Sequence, residues 1–168
     1  LSIVSFEQGL YWQQEEILLR HTQRHEIGTY TAASQQILMK YDQNIPAIEG
    51  VLMLEKDPII KSMWLNRLGS IYRSQGQEQK AIQSFQSALE KNPKNVDALN
   101  ALAVVYLEKG NADKGIELLK KSLSLDSQYS ETLKLCGIYF YRQHDVEHAK
   151  QFLSQALFYD PDNSQVKE

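Results

Sequence analysis

A spacing of 34 residues recurs from residue 62 onward, and it constrains the fold more than any other feature of the sequence. Gly76 and Gly110 show it directly. Four further columns repeat it with aromatic, large or small side chains: Tyr72, Tyr106 and Phe140; Phe85, Leu119 and Leu153; Ala81, Gly115 and Ala149; Gly69, Ala103 and Gly137. A unit of this length cannot bury its apolar face alone, so the pattern predicts units that stack.

Each unit has the pattern of two helices. The first helix of the first unit has apolar residues at the spacing of one helical face: Trp64, Leu65, Leu68, Ile71 and Tyr72. Gly76 follows, where a helix end favours a left-handed residue. The second helix has a similar face at Ala81, Ile82, Phe85, Ala88 and Leu89. Asn92-Pro93 should end it, because proline disfavours helical geometry in the residue before it.

The small residues of the unit predict close helix packing. Gly69, Ala81 and Ala88 should let two helices approach, while Tyr72 and Phe85 fill the space beside them. Close packing of two long helices in every unit predicts an all-α protein.

The pattern resembles the tetratricopeptide repeat, whose 34-residue unit runs Trp or Leu, Leu, Gly, Tyr, then Ala, Phe, Ala and Pro. Residues 62–95 match at Leu65, Leu68, Gly69, Tyr72, Ala81, Phe85, Ala88 and Pro93. Residues 130–163 match at Leu133, Gly137, Phe140, Ala149, Leu153, Ala156 and Pro161. Residues 96–129 match in the first helix but depart at Gly115, Leu119, Ser122 and Ser127. The resemblance implies a right-handed α-α superhelix of antiparallel helix pairs, with three tandem repeats over 62–163.

Residues 1–61 are less regular. Ile45–Glu55 resembles a second helix that Asp57-Pro58 ends, and we interpret 27–61 as a degenerate repeat. Residues 3–25 predict one more helix, which should cap the open end of the stack. Residues 164–168 form a tail, and because the chain starts at Leu1 we expect the natural protein to be longer.

Composition excludes several classes of function. The chain has 168 residues, 18 Lys and Arg against 21 Asp and Glu, and one cysteine. A net charge of −3 argues against a nucleic-acid binder, and no apolar run is long enough to cross a membrane. No catalytic or dinucleotide fingerprint is present, and we predict no enzyme activity and no cofactor.

Three candidate chemical sites have simpler interpretations. The glycines of 110–115 have the spacing of a phosphate loop, but Ile116 and Glu117 stand where Lys and Ser or Thr are needed. His21/His25 and His144/His148 offer only pairs of ligands, so we predict no metal site. Cys136 falls in a core column and should be an inert, buried thiol.

What remains is a surface, which we call the groove. First helices line the concave face of such stacks, and unit positions 2, 5, 9 and 12 should face it. These residues are Met63, Asn66, Ser70 and Arg73; Asp97, Asn100, Val104 and Leu107; Glu131, Lys134, Ile138 and Tyr141. The amides of Asn66 and Asn100 could pair with an extended peptide backbone. The alternative is that Leu107 and Tyr141 simply cover neighbouring helices.

The resemblance implies a non-catalytic scaffold or assembly module that binds a protein or peptide partner in the groove. The carboxylate clamp of the cochaperone subtype is absent, because its positions hold Asn66, Ser70, Ala101, Glu131 and Leu135. Two alternatives remain. The chain is the helical arm of a larger multidomain enzyme, or it self-associates through an uncapped C-terminal end near Phe152, Phe158 and Tyr159. The composition is compatible with the cytoplasm and with the bacterial periplasm.

Overall fold

The computed structural model describes residues 45–161, and within that range it contains helices and no strands. The helices are α1 Ile45–Leu54, α2 Pro58–Ser74, α3 Glu78–Lys91, α4 Val96–Glu108, α5 Ala112–Leu125, α6 Ser130–Arg142 and α7 Val146–Tyr159. The chain forms two compact units, residues 1–50 and 51–168. The predicted helix 3–25, the pair His21/His25 and the tail lie outside the described residues.

The second unit is built from helix pairs. Helix α2 packs on α3, α4 on α5, and α6 on α7, while α3 meets α4 and α5 meets α6 between successive pairs. This is the all-α tetratricopeptide-type fold that the repeat predicts. We call the pairs α2/α3, α4/α5 and α6/α7 repeats 1, 2 and 3.

Asp57-Pro58 begins a helix as well as following one. Helix α1 ends at Leu54, and the Asp57 carboxylate accepts hydrogen bonds from the backbone N–H groups of Ile59 (2.7 Å) and Ile60 (3.2 Å). Pro58 occupies the first turn, where its missing N–H costs nothing. The first helix of repeat 1 therefore starts four residues before the predicted repeat boundary at residue 62.

The turn between the helices of each repeat has one residue in the left-handed region. Gly76 has φ 71° and Gly110 has φ 76°, which confirms that these glycines end the first helices. His144 takes the third equivalent position with φ 62°. A side chain with a Cβ is strained in this conformation, so repeat 3 makes the same turn at a higher conformational cost.

Glycine permits the closest helix contacts. A Cβ on Gly69 would lie 2.5 Å from the Phe85 ring, and one on Gly137 would lie 2.6 Å from Leu153. Phe85 is fully buried, as are Ala81 and Ala88. The prediction that small residues bring the two helices together is therefore confirmed.

Repeat 2 reaches the same closeness in a different way. Its first helix has Ala103 where the others have glycine, and its second helix has Gly115 where the others have alanine. A Cβ on Gly115 would lie 2.6 Å from the Leu107 side chain. Leu107 therefore packs onto α5, and the departure of Gly115 from the repeat pattern has a packing explanation.

Candidate functional site

The first helices of the three repeats lie side by side. Helix α2 contacts α4, and α4 contacts α6, so the groove positions of neighbouring repeats come together on one surface. Their exposure differs strongly along that surface. Exposed residues are Met63, Ser70, Arg73, Asp97, Ile138 and Tyr141; partly buried ones are Asn66, Val104, Leu107 and Glu131; buried ones are Asn100 and Lys134.

Asn100 belongs to a buried polar network between repeats 2 and 3. Its Nδ2 donates to the Thr132 hydroxyl at 2.8 Å, and the Thr132 hydroxyl contacts Asn100 Oδ1 at 3.1 Å. The Ser122 hydroxyl lies 2.8 Å from that of Thr132. These three residues belong to α4, α5 and α6 and are at most 4% exposed, so the amide joins helices.

Asn66 occupies the equivalent position in repeat 1 without such a network. Its Oδ1 is buried and has no hydrogen-bond partner among the described residues. The positions that correspond to Thr132 and Ser122 hold Ala98 and Ala88, both fully buried. The missing hydroxyls explain the unpartnered oxygen, because alanine offers no donor at either position.

Every charged side chain at a groove position has a partner. The Arg73 guanidinium lies 2.6 Å from Glu108 of the next repeat, and Lys134 Nζ lies 2.5 Å from Glu131. The Tyr129 hydroxyl donates to Asp97 Oδ1 at 2.5 Å. Burial, followed by the neighbouring Asp97, raises the pKa of Tyr129 above its ordinary value.

Apolar exposure is concentrated in repeat 3. Tyr141 is 66% exposed and Ile138 is 36% exposed, and they are three residues apart on one face of α6. Val104, at the same unit position as Ile138, is half-buried on α4. Met63 adds a separate apolar side chain on α2 at 45% exposure.

Three groove predictions differ from what the structure shows. Asn100 and Lys134 are 4% and 6% exposed because they bond to neighbouring helix residues, so neither offers a free polar group on the surface. Leu107 faces α5 because Gly115 leaves room for it. The alternative interpretation, in which this leucine covers a neighbouring helix, therefore describes Leu107 but not the exposed Tyr141.

The partners of the groove residues were not predicted from the sequence. Thr132 bonds Asn100 and Glu108 pairs with Arg73, and neither was singled out. Ser122, noted only as a departure from the repeat pattern, bonds Thr132. A signal existed for Thr132 and Ser122, because polar residues interrupt two otherwise apolar repeat columns. Polar substitution in a core column indicates a buried hydrogen-bond network.

The remaining candidates for chemistry are structural. Cys136 is 7% exposed, and burial raises the pKa of its thiol to about 11, as expected for an inert core residue. The His148 ring stacks on Phe140 with centroids 5.2 Å apart, and its Nδ1 lies 2.7 Å from Asp145. Within residues 45–161, no cluster of three or more potential metal ligands occurs. The same residues include no helix that is long and apolar enough to cross a membrane.

Comparison with known families agrees with this architecture. A family model described as TPR repeat matches residues 69–110, and a second, described as tetratricopeptide repeat, matches residues 96–129. The second match spans repeat 2, whose sequence departs most from the pattern. The chain therefore contains tetratricopeptide repeats.

Similar proteins include assembly factors and peptide-binding domains. The chain is 36% identical over 59 residues to the Photosystem I assembly protein Ycf3 of Synechococcus sp. (strain CC9902). That match covers 35% of this chain and 34% of the relative, so it spans about a third of the relative's length.

Two solved structures share the fold. The PilF structure from Pseudomonas aeruginosa is 30% identical, with a TM-score of 0.61, over 66% of this chain and 51% of that one. The first TPR of Spaghetti (RPAP3), bound to the HSP90 peptide SRMEEVD, is 19% identical with a TM-score of 0.59. That alignment covers 65% of this chain and 86% of that one, and it shows likeness of fold alone.

Proposed function

We propose that this chain is a non-catalytic interaction module that binds a segment of a partner protein in the groove and thereby supports assembly of a complex. The observation that carries the proposal is the exposed pair Ile138 and Tyr141 beside half-buried Val104. Large apolar side chains that remain exposed on a packed helix face are typical of binding sites. Tyrosine is also over-represented among the residues that dominate interface energies.

The comparisons support a protein-interaction or assembly role at a coarse level. One relative is named as an assembly protein, and one structural neighbour was solved with a bound peptide. Among the described residues, buried Cys136 and the Asp145-bonded His148 offer no arrangement of nucleophile and base. The named assembly role of the relative and the bound peptide of the structural neighbour are what favour an adaptor.

Site-specific photocrosslinking tests the proposal. A benzophenone amino acid is placed at Tyr141 or at Ser70, and at Lys120 as a control on the second helix of repeat 2. We expect crosslinks to one partner from the groove positions, lost when unlabelled chain is added in excess. Crosslinks from Lys120 with none from Tyr141 or Ser70 would move the binding site to the other side of the repeats.

Self-association is a second candidate, favoured by the apolar C-terminal end of α7. Phe158 is 78% exposed and Tyr159 is 43% exposed, with their rings packed edge to face. The first two repeats have Glu90 and Ser124 at the position of Phe158. Light scattering over a range of concentrations tests this candidate. A mass that rises with concentration and returns to monomer in Phe158→Ser would support it.

A further inference from the structure

The two halves of the groove present different chemistry to a ligand. At repeat 1 the exposed groove side chains are one apolar residue, Met63, and two polar ones: Ser70, whose hydroxyl donates to the Asn66 carbonyl, and Arg73, which pairs with Glu108. At repeat 3 they are Ile138 and Tyr141. Dehydration of the repeat 3 half on binding is favourable, whereas the polar half must exchange existing contacts for new ones.

The charges of the groove leave little for a charged ligand to bind. Arg73, Asp97, Glu131 and Lys134 are each already bonded to a protein group. A ligand carboxylate would reach Lys134, whose side chain is 8% exposed, only by displacing the half-exposed Glu131 carboxylate, which would then lose its partner. Charge complementarity therefore favours an uncharged segment.

From this we infer that the groove recognises an internal, uncharged segment of a partner protein, anchored by large apolar side chains on Ile138, Tyr141 and Val104. A terminal carboxylate is not part of the recognised feature. This inference rests on the proposed function, and it deepens it by stating the chemistry of the partner. Arg142 follows Tyr141 and is exposed, so it is the cation that an acidic ligand would use instead.

Two phage-displayed libraries of random 12-residue peptides test the inference on the full chain. In one library both ends of the peptide are joined to fixed sequence, and in the other the C-terminus is free. We expect the internal library to yield binders rich in Leu, Ile, Phe and Trp and poor in Asp and Glu. Their Kd values should change less than about twofold between about 50 and about 500 mM NaCl, because apolar contacts are not screened by salt.

Variants locate the binding of the selected peptides. Ile138→Ser and Tyr141→Ala should each weaken binding about tenfold or more, as removal of a central anchor does. Arg142→Gln and Lys120→Ala should leave the Kd unchanged. Both anchor residues are exposed, so these variants should keep the parent melting curve, and Ile138→Val supplies a conservative check that should retain most of the affinity.

The outcomes separate the inference from the proposed function. Binders found only with free C-termini, or acidic binders that lose affinity in Arg142→Gln and in high salt, would overturn the inference and leave groove binding intact. Selected peptides that bind every groove variant equally would overturn the proposed function as well. Failure of both libraries to yield any binder would also count against both.

Discussion

The two junctions between repeats show how one backbone frame accepts two kinds of interior. Between repeats 1 and 2 the equivalent core positions hold Ala88 and Ala98, and Asn66 leaves a buried oxygen without a partner. Between repeats 2 and 3 the same positions hold Ser122 and Thr132; Thr132 bonds Asn100, and Ser122 bonds Thr132. An asparagine at one repeat position is therefore a stabilising link or an unsatisfied group, depending on two neighbours.

The junctions also differ at their solvent-exposed edges. The first junction has surface ion pairs, Arg73 with Glu108 and Lys109 with Glu78 at 3.2 Å. Exposed pairs of this kind contribute little to stability, about 0–1 kcal/mol each. Buried hydrogen bonds at the second junction have a larger effect when one partner is lost. The comparison predicts that matched substitutions in the two junctions have unequal effects.

The largest difference in the free energy of unfolding is expected between the substitutions Asn100→Ala and Asn66→Ala. Asn100→Ala should lower the free energy of unfolding by about 1–3 kcal/mol, because it strips the buried Thr132 hydroxyl of its amide partner. Asn66→Ala should be neutral or stabilising by up to about 0.5 kcal/mol, because alanine is the better helix former and no bond to Oδ1 is lost. Urea unfolding with an unchanged m-value measures both. Equal losses in the two variants would show that the junctions are not different.

The turn of repeat 1 provides the next test. Gly76→Val should cost about 1–3 kcal/mol, since a β-branched residue is strained at positive φ even though no atom lies near the site. Thermal unfolding followed by circular dichroism measures the change. Gln75→Val, one residue earlier at φ −88°, is the control and should cost less. A negligible effect of Gly76→Val would mean that this glycine is not needed to end α2.

Tyr129 should make the stability of the second junction depend on pH in the alkaline range. Its pKa is raised in the folded chain above the ordinary value of 10, so folding favours the protonated phenol. The stabilisation is fully present below about pH 10 and is lost as the pH rises toward the folded-state pKa. Tyr129→Phe should cost about 1 kcal/mol at neutral pH, from the lost bond to Asp97, and the cost should shrink above pH 10. Urea titrations of both proteins at several pH values measure this. A difference that does not vary with pH would contradict the pKa direction.

The smallest expected effect is a gain in stability from a substitution in repeat 3. His144→Gly should stabilise the chain by about 0.5–1 kcal/mol, because relief of left-handed strain exceeds the entropy that glycine adds to the unfolded state. The Phe140 stack and the Asp145 bond belong to His148, so the substitution removes neither. His148→Gly is the opposing control, because it removes those contacts inside a helix and should destabilise. A loss of stability in His144→Gly would indicate that this side chain has contacts of its own.

Local signals explain why helices and turns could be predicted while the side-chain pairs could not. The positions of Gly76, Asn92 and Pro93 mark helix ends because backbone preference acts within a few residues. The contact of Arg73 with Glu108 depends on how two separate helices align. Asn66 and Asn100 have the same repeat position. The residues 32 and 22 positions further along are Ala98 and Ala88 for Asn66, but Thr132 and Ser122 for Asn100. A sequence predicts such partners only when a core column is interrupted, as at Thr132.

The exchange of glycine and alanine within repeat 2 has an evolutionary consequence. Repeats 1 and 3 place glycine on the first helix and alanine on the second, and repeat 2 reverses the two. A Cβ on Gly69 would collide with Phe85, whereas a Cβ on Gly115 would collide with Leu107, so each arrangement depends on a different neighbouring side chain. A change from one arrangement to the other therefore also requires a change in the side chain that meets the glycine. The two arrangements are therefore not interchangeable residue by residue, because each is matched to the side chain that packs against its glycine.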